Sequence, residues 1–167
     1  MTATVSADTP RSPAPPSTPA SVAAINAAPE TRATRILFIE DHADTAAALV
    51  RVLQRAGYVA VAARTIAEAL HSAEAEMNAA GIDIVVSDLG LPDGSGLDLM
   101  RELSEKYGLR GIALSGFGTE SDRERSKAVG FVRHLIKPVS ISLLRNTVEE
   151  VVREIHDTAN PTRPKPA

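Results

Sequence analysis

Five short apolar runs, separated by turns and by amphipathic segments that tend to end in glycine, set the tightest limit on how this chain can fold. The runs are "RILFI" (Arg35 to Ile39), "YVAVAA" (Tyr58 to Ala63), "IDIVVS" (Ile82 to Ser87), "GIALS" (Gly111 to Ser115) and "FVRHLI" (Phe131 to Ile136). Each has the length and composition of a strand, and together they predict five. Between and after them lie segments with helical spacing: Leu49, Val52, Leu53 and Ala56 in the first, and Ile141, Leu144, Val148, Val151 and Ile155 in the last. Each such segment has one face to bury. Gly57, Gly81, Gly108 and Gly130 fall where a helix should stop, because glycine adopts the left-handed C′ conformation at little cost. Thr65 with Glu68, and Ser95 with Asp98, have capping-box spacing, and Ser140 suits the N-cap of the last helix.

Strands alternating with helices predict an α/β, doubly wound fold: a five-stranded parallel sheet with helices on both faces. Continuously apolar strands such as "DIVVS" fit burial on both sides. In open sheets of this kind the functional crevice lies beyond the carboxyl ends of the strands. The strand ends are therefore the place to seek chemistry.

Four of the five strands end in reactive groups. Glu40 and Asp41 follow the first, Asp88 the third, Ser115 the fourth, and Lys137 with Pro138 the fifth. Each has a plainer use on its own: Asp88 before "LGLPDGSG" could shape a turn, Glu40 and Asp41 could lead into the first helix, Ser115 could fill a tight bend, and Lys137 could be a solvated loop residue. Together they are a poor choice for stability, because crowded carboxylates repel. A Mg²⁺ ion would relieve the repulsion. It takes oxygen ligands, is held by one or two carboxylates together with phosphate oxygens, and offsets charge on a phosphoryl group in transit. Read this way, Asp88 is the nucleophile of an acyl phosphate, Lys137 a balancing point cation, and the Ser115 hydroxyl a donor to a phosphoryl oxygen.

At these residues the sequence closely resembles the receiver domain of two-component response regulators. "ILFIEDHADT" is similar to the family's first strand and acidic pair, "VVSDLGLPDGSGLDLM" to its phosphoacceptor strand and loop, "IALSGFG" to its Ser/Thr strand, and "GFVRHLIKPV" to its terminal Lys-Pro. The likeness covers about residues 34 to 155. It implies a flavodoxin-like strand order 2-1-3-4-5 with five helices. It further implies that Asp88 accepts a phosphoryl group from a phosphohistidine, that Asp41 and the Gly90 carbonyl ligate Mg²⁺ with Asp88, that Glu40 helps through water, and that the Lys137–Pro138 bond is cis. Receivers commonly place an aromatic switch where this chain has His134, so a role for that ring is open beside the plainer one of filling a strand position. Gly90 and Phe117 stand where the family flanks the water route to the acyl phosphate, and neither side chain can hold a water; slow self-dephosphorylation is the expectation. His42, His71 and His156 show no metal spacing and receive no role.

The resemblance implies a phosphoacceptor rather than an enzyme, with a histidine kinase or a histidine phosphotransfer protein as donor. "ALSGFGTESDRERSKAVGFVRHLIKPV" looks especially like receivers of hybrid sensor kinases. The fourth helix, "TESDRERSKAV", has almost no apolar face and is the element expected to shift on phosphorylation. Only a Pro-rich stretch follows the fifth helix, so output to a downstream protein is expected through direct contacts. Three other readings compete. A pseudo-receiver binding module would keep the fold without phosphorylation, against which the intact set Glu40, Asp41, Asp88, Ser115 and Lys137 argues. A phosphatase of the haloacid dehalogenase type would need a second Asp where Gly90 stands. A flavodoxin would need a hydroxyl-rich phosphate loop in place of "EDHAD".

Composition narrows the remaining classes. The net charge is −3 and aromatics are 3% of the 167 residues, so neither a basic field nor stacking platforms favour nucleic acid. There is no cysteine, which excludes disulfides and thiolate metal sites. No apolar run approaches the roughly 18 residues of a membrane span, and the start lacks the basic and apolar regions of a signal peptide; a cytoplasmic location is expected. Residues 1–33 and 158–167, rich in Pro, Ala, Ser and Thr, read as disordered tails around a domain at 34–157, with "SVAAINAA" open as a short docking helix.

Overall fold

The computed structural model describes residues 32–159. The tail readings fall almost wholly outside them. In chain order the elements are β1 (Arg35–Ile39), α1 (Ala43–Arg55), β2 (Val59–Ala63), α2 (Ile66–Ala79), β3 (Ile84–Asp88), β4 (Gly90–Leu91), β5 (Gly94–Ser95), α3 (Gly96–Tyr107), β6 (Gly111–Ser115), α4 (Glu120–Ala128), β7 (Phe131–Ile136) and α5 (Ile141–Ala159). Five strands form one sheet in the order β2-β1-β3-β6-β7, every neighbouring pair parallel. This is the expected order 2-1-3-4-5 once the two-residue strands β4 and β5, which pair antiparallel in the loop after β3, are counted.

The sheet is buried on both sides. Along β1, Ile36 and Phe38 join one core and Leu37 and Ile39 the other, as a period of two requires; all four are fully buried. Ala69 and Ala73 of α2 and Leu99, Met100 and Leu103 of α3 cover one face. Ala46, Leu49 and Leu53 of α1 and Leu144, Val148 and Val151 of α5 cover the other. Two expected face residues differ: Ile141 is 52% exposed at the start of α5, and Ala56, the C-cap of α1, is exposed. Each lies at a helix end.

The helix ends follow local chemistry, with two departures from the expected caps. Thr65 Oγ1 accepts the Glu68 N–H at 3.1 Å, but the Glu68 carboxylate takes the Arg64 N–H at 2.7 Å rather than that of Thr65. Ser95 accepts from Leu97 N–H, while Asp98 pairs with Arg101 at 2.7 Å. The reciprocal box forms instead on α4, between Thr119 and Asp122. Gly108 closes α3 at φ +68°, and Leu143 N–H donates to Ser140.

Asp93, in the turn between β4 and β5, reaches across to cap α2: its carboxylate accepts the N–H groups of Ile66 at 2.8 Å and Ala67 at 3.1 Å. The Ile66 bond leads in holding its carboxyl below the usual carboxylate range. A depressed folded value stabilises the fold above the ordinary 3.8 and loses that contribution as pH falls through the folded value. Asp93→Ala is therefore expected to lower the urea midpoint at pH 7, and its gap from wild type should close below pH 3.8. A gap unchanged between pH 7 and pH 3 would contradict the cap's ionic character.

Candidate functional site

Parallel strands put all their carboxyl ends on one edge, and that edge gathers the residues singled out above. Glu40 immediately follows β1, Asp88 closes β3, Ser115 closes β6 and Lys137 follows β7. Lys137 joins them: its Nζ donates to Glu40 Oε2 at 2.7 Å and to Asp88 Oδ2 at 2.6 Å. Glu40 is 1% exposed at its side chain, Asp88 13% and Lys137 29%. Burial pushes the Lys137 ammonium down, but its bonds to Asp88 and Glu40 outweigh this and hold it above its ordinary value. The Lys137–Pro138 peptide is cis, as the resemblance implied.

The second oxygen of Asp88 is held from the other side, since the Gly90 N–H donates to Oδ1 at 3.0 Å. Both carboxylate oxygens are thereby fixed at the floor of a cleft of about 650 Å³, lined also by Ser115, Phe117, Arg125 and Lys137. Ser115 faces this cleft, but its hydroxyl is engaged in its own turn. It donates to the Phe117 carbonyl at 2.5 Å and accepts the Phe117 N–H at 3.0 Å. His134, half-buried, bridges the same turn and α4: Nε2 lies 3.3 Å from the Phe117 carbonyl and Nδ1 3.1 Å from the Ser126 hydroxyl. The ring thus sits between the loop after β6 and the one buried residue of α4.

His42, given no role from the sequence, and Arg64, at the end of a strand from which nothing was expected, both contact the acidic pair. His42 Nδ1 lies 3.0 Å from Glu40 Oε1 and 2.7 Å from Asp41 Oδ1. The hydrogen bond to Glu40 leads, and the Asp41 charge adds, in raising the imidazole above its usual value. Arg64, directly after β2, donates from Nε to the Asp41 carbonyl at 3.3 Å. Neither contact has a sequence signal, because a histidine beside two acids is equally at home in a solvated turn.

The donor set suits a hard divalent cation. Glu40, Asp41 and His42 each offer a ligand atom, and these lie within 4.8 Å of one another. Asp41 Oδ1 is shielded from solvent, with His42 Nδ1 2.7 Å away. Burial pushes the Asp41 carboxyl up, but the Glu40 side chain and the His42 charge outweigh it and hold it below the usual range. Asp88 stands outside that tight group and is tied to Glu40 through Lys137. Such an arrangement can hold a cation beside a fixed carboxylate and balance added negative charge with an ammonium.

Fold and pocket place the chain among flavodoxin-like α/β proteins with an acidic cleft at the carboxyl edge of the sheet. Residues 36–149 match the response regulator receiver domain, and the chain belongs to that family, a signalling domain rather than a classical enzyme. It is 32% identical over 130 residues to the phosphate regulon transcriptional regulatory protein PhoB of Escherichia coli, covering 76% of this chain and 55% of PhoB. It is 32% identical over 120 residues to the sensor kinase CckA of Brucella abortus, covering 71% of this chain and 12% of CckA. The chain thus spans about half or less of these relatives. Among solved structures, a CheY-like receiver domain of Methanospirillum hungatei superposes with a TM-score of 0.68 at 23% identity, covering 75% of this chain and 98% of that one, a likeness of fold. Among the described residues no helix is long and apolar enough to cross a membrane.

Proposed function

We propose that this receiver domain accepts a phosphoryl group on Asp88 from a phosphohistidine of a histidine kinase or a histidine phosphotransfer protein, and passes the signal on through protein contacts. One observation carries the reading: a single ammonium, that of Lys137, bridges carboxylates from two strand ends 97 and 49 residues away in the chain. A carboxylate oxygen of Asp88 attacks phosphorus, the P–N bond breaks, and its electron pair stays on the donor imidazole. The Gly90 N–H and Lys137 hold Asp88 in place beforehand, so little reorganisation is needed as charge moves. When Mg²⁺ is bound, with Asp41 and Asp88 and the Gly90 carbonyl as ligands and Glu40 beside them, it offsets charge on the phosphoryl oxygens. Lys137 then donates to a phosphoryl oxygen in place of the lost carboxylate charge. The similarity to a sensor kinase supports a phosphorelay setting.

The test is intact mass after incubation with Mg²⁺ and a small phosphodonor. Wild type is expected to gain one phosphoryl group and Asp88→Asn none; a wild-type chain that gains nothing would leave a pseudo-receiver. Ser115 supplies the output step. Turning its hydroxyl toward the phosphoryl group gives up the Phe117 carbonyl and N–H, and His134 shares that carbonyl. A helix with one buried residue shifts at low cost. Amide exchange is accordingly expected to change across Gly116–Val129 on adding a phosphoryl mimic, and uniform exchange there would remove α4 from the signal path.

A further inference from the structure

We propose that the exposed ring of Phe117 is the platform on which the donor's imidazole stacks while it gives up the phosphoryl group. The inference rests on the phosphoacceptor reading above and deepens it. The chain has 3 phenylalanines, 2 tyrosines and no tryptophan. Phe38 and Phe131 are buried in the two cores, and Tyr58 and Tyr107 pack half-buried against them. Phe117 differs from the rest at 79% exposed. A single exposed apolar residue is ordinary on most surfaces. This one lines the cleft that holds the Asp88 carboxylate.

The direction of the transfer sets what the ring meets. Gly90 N–H and Lys137 Nζ hold the two oxygens of Asp88 at the cleft floor. Attacking and leaving atoms stand roughly in line on opposite sides of phosphorus, so the leaving nitrogen lies toward the cleft mouth. An Asp88 oxygen forms the O–P bond as the P–N bond breaks. The electron pair stays on that nitrogen, and the proton carried by the other ring nitrogen lets the donor leave as neutral imidazole. That flat ring can pair with Phe117 in an offset-stacked or edge-to-face contact.

Phe117 is presented from a fixed backbone. The Ser115 hydroxyl donates to its carbonyl at 2.5 Å and accepts its N–H at 3.0 Å, and His134 Nε2 lies 3.3 Å from the same carbonyl. The neighbouring Gly118 packs so closely that a Cβ there would press into the Ile136 side chain. Stacking therefore has to order the side chain rather than the loop, which lowers its entropic cost. The same bonds tie the platform to the unphosphorylated state. When Ser115 turns to the phosphoryl group they are lost, and the spent imidazole leaves a loosened turn.

Phosphorylation of the full chain by phosphoimidazole and by acetyl phosphate, each with Mg²⁺ and followed by intact mass, tests this. Acetyl phosphate has no ring to stack. An aromatic pair is worth about two- to tenfold, so Phe117→Leu is expected to lower the ratio of the phosphoimidazole rate to the acetyl phosphate rate by that factor. Phe117→Tyr, which keeps a ring, should hold the wild-type ratio. At 79% exposure neither substitution threatens the fold. A wild-type ratio in Phe117→Leu, or an equal fall in Phe117→Tyr, overturns the platform and leaves Asp88 as the phosphoacceptor. A wild-type chain that gains no phosphoryl group from either donor overturns both readings.

Discussion

Gly96→Ala is expected to destabilise the domain by about 3 kcal/mol, at the upper end of what overpacking costs. Gly96 opens α3 directly beneath the end of β3. A Cβ there would press into the Asp88 carbonyl oxygen and stand 2.9 Å from Leu89 Cα and 3.1 Å from the Asp88 carbonyl carbon. All three are backbone atoms. They cannot rotate away as a side chain would, and the Gly96 N–H is bonded to the Leu89 carbonyl at 2.9 Å. Relief requires moving either α3, anchored by Leu99, Met100 and Leu103, or the end of β3 that carries Asp88. Equilibrium urea unfolding measures the first cost, and intact mass after phosphodonor treatment measures the second. A variant within about 0.5 kcal/mol of wild type, the range of an ordinary surface substitution, would show that the strand end has slack.

Lys137→Met is expected to cost about 2–3 kcal/mol at pH 7. Removing one partner of a buried pair leaves an uncompensated charge, typically at about 3–5 kcal/mol. Lys137 retains 29% side-chain exposure, so solvent screening places the effect below that range. The buried member is Glu40, at 1%, and adding Glu40→Gln to Lys137→Met should recover part of the loss. The pH dependence has a definite sign. Lys137 is held above its ordinary value of 10.5, so its contribution is fully present below that pH and is lost as pH rises through the folded value. Wild type and Lys137→Met should therefore converge in stability above pH 10.5. A constant gap from pH 7 into that range would assign the loss to packing of the lysine stem instead.

The two substitutions probe different kinds of legibility. Lys137 stood out in the sequence because it closes a strand in a pattern of strand-end polar groups. Gly96 did not: "DGSG" reads as a turn with two exchangeable glycines, and only the approach of α3 to the Asp88 carbonyl makes the second irreplaceable. Asp93 was likewise one more turn residue until its carboxylate was found on the N–H groups of α2. The expected Ser95–Asp98 box lost to Arg101, one helical turn away, since a capping acid and an ion-pairing acid have the same sequence spacing. Ile141 carried the right periodicity and still lies outside the core, because periodicity fixes a face but not where along the helix the sheet ends.

What the sequence determined by itself was the alternation of strands and helices, and with it the edge on which Glu40, Asp41, Asp88, Ser115 and Lys137 must meet. That follows from local chemistry: burying apolar runs on both faces demands parallel strands, and parallel strands align their ends. The tertiary structure alone decided which partner each polar group takes, turning Lys137 onto two carboxylates, the Ser115 hydroxyl into its own turn and His42 onto Glu40 and Asp41. The Lys137 pairing joins strand ends 97 and 49 residues away, while Ser115 and His42 meet partners within two residues, where several local turns would have been open and only the packed strand ends selected one.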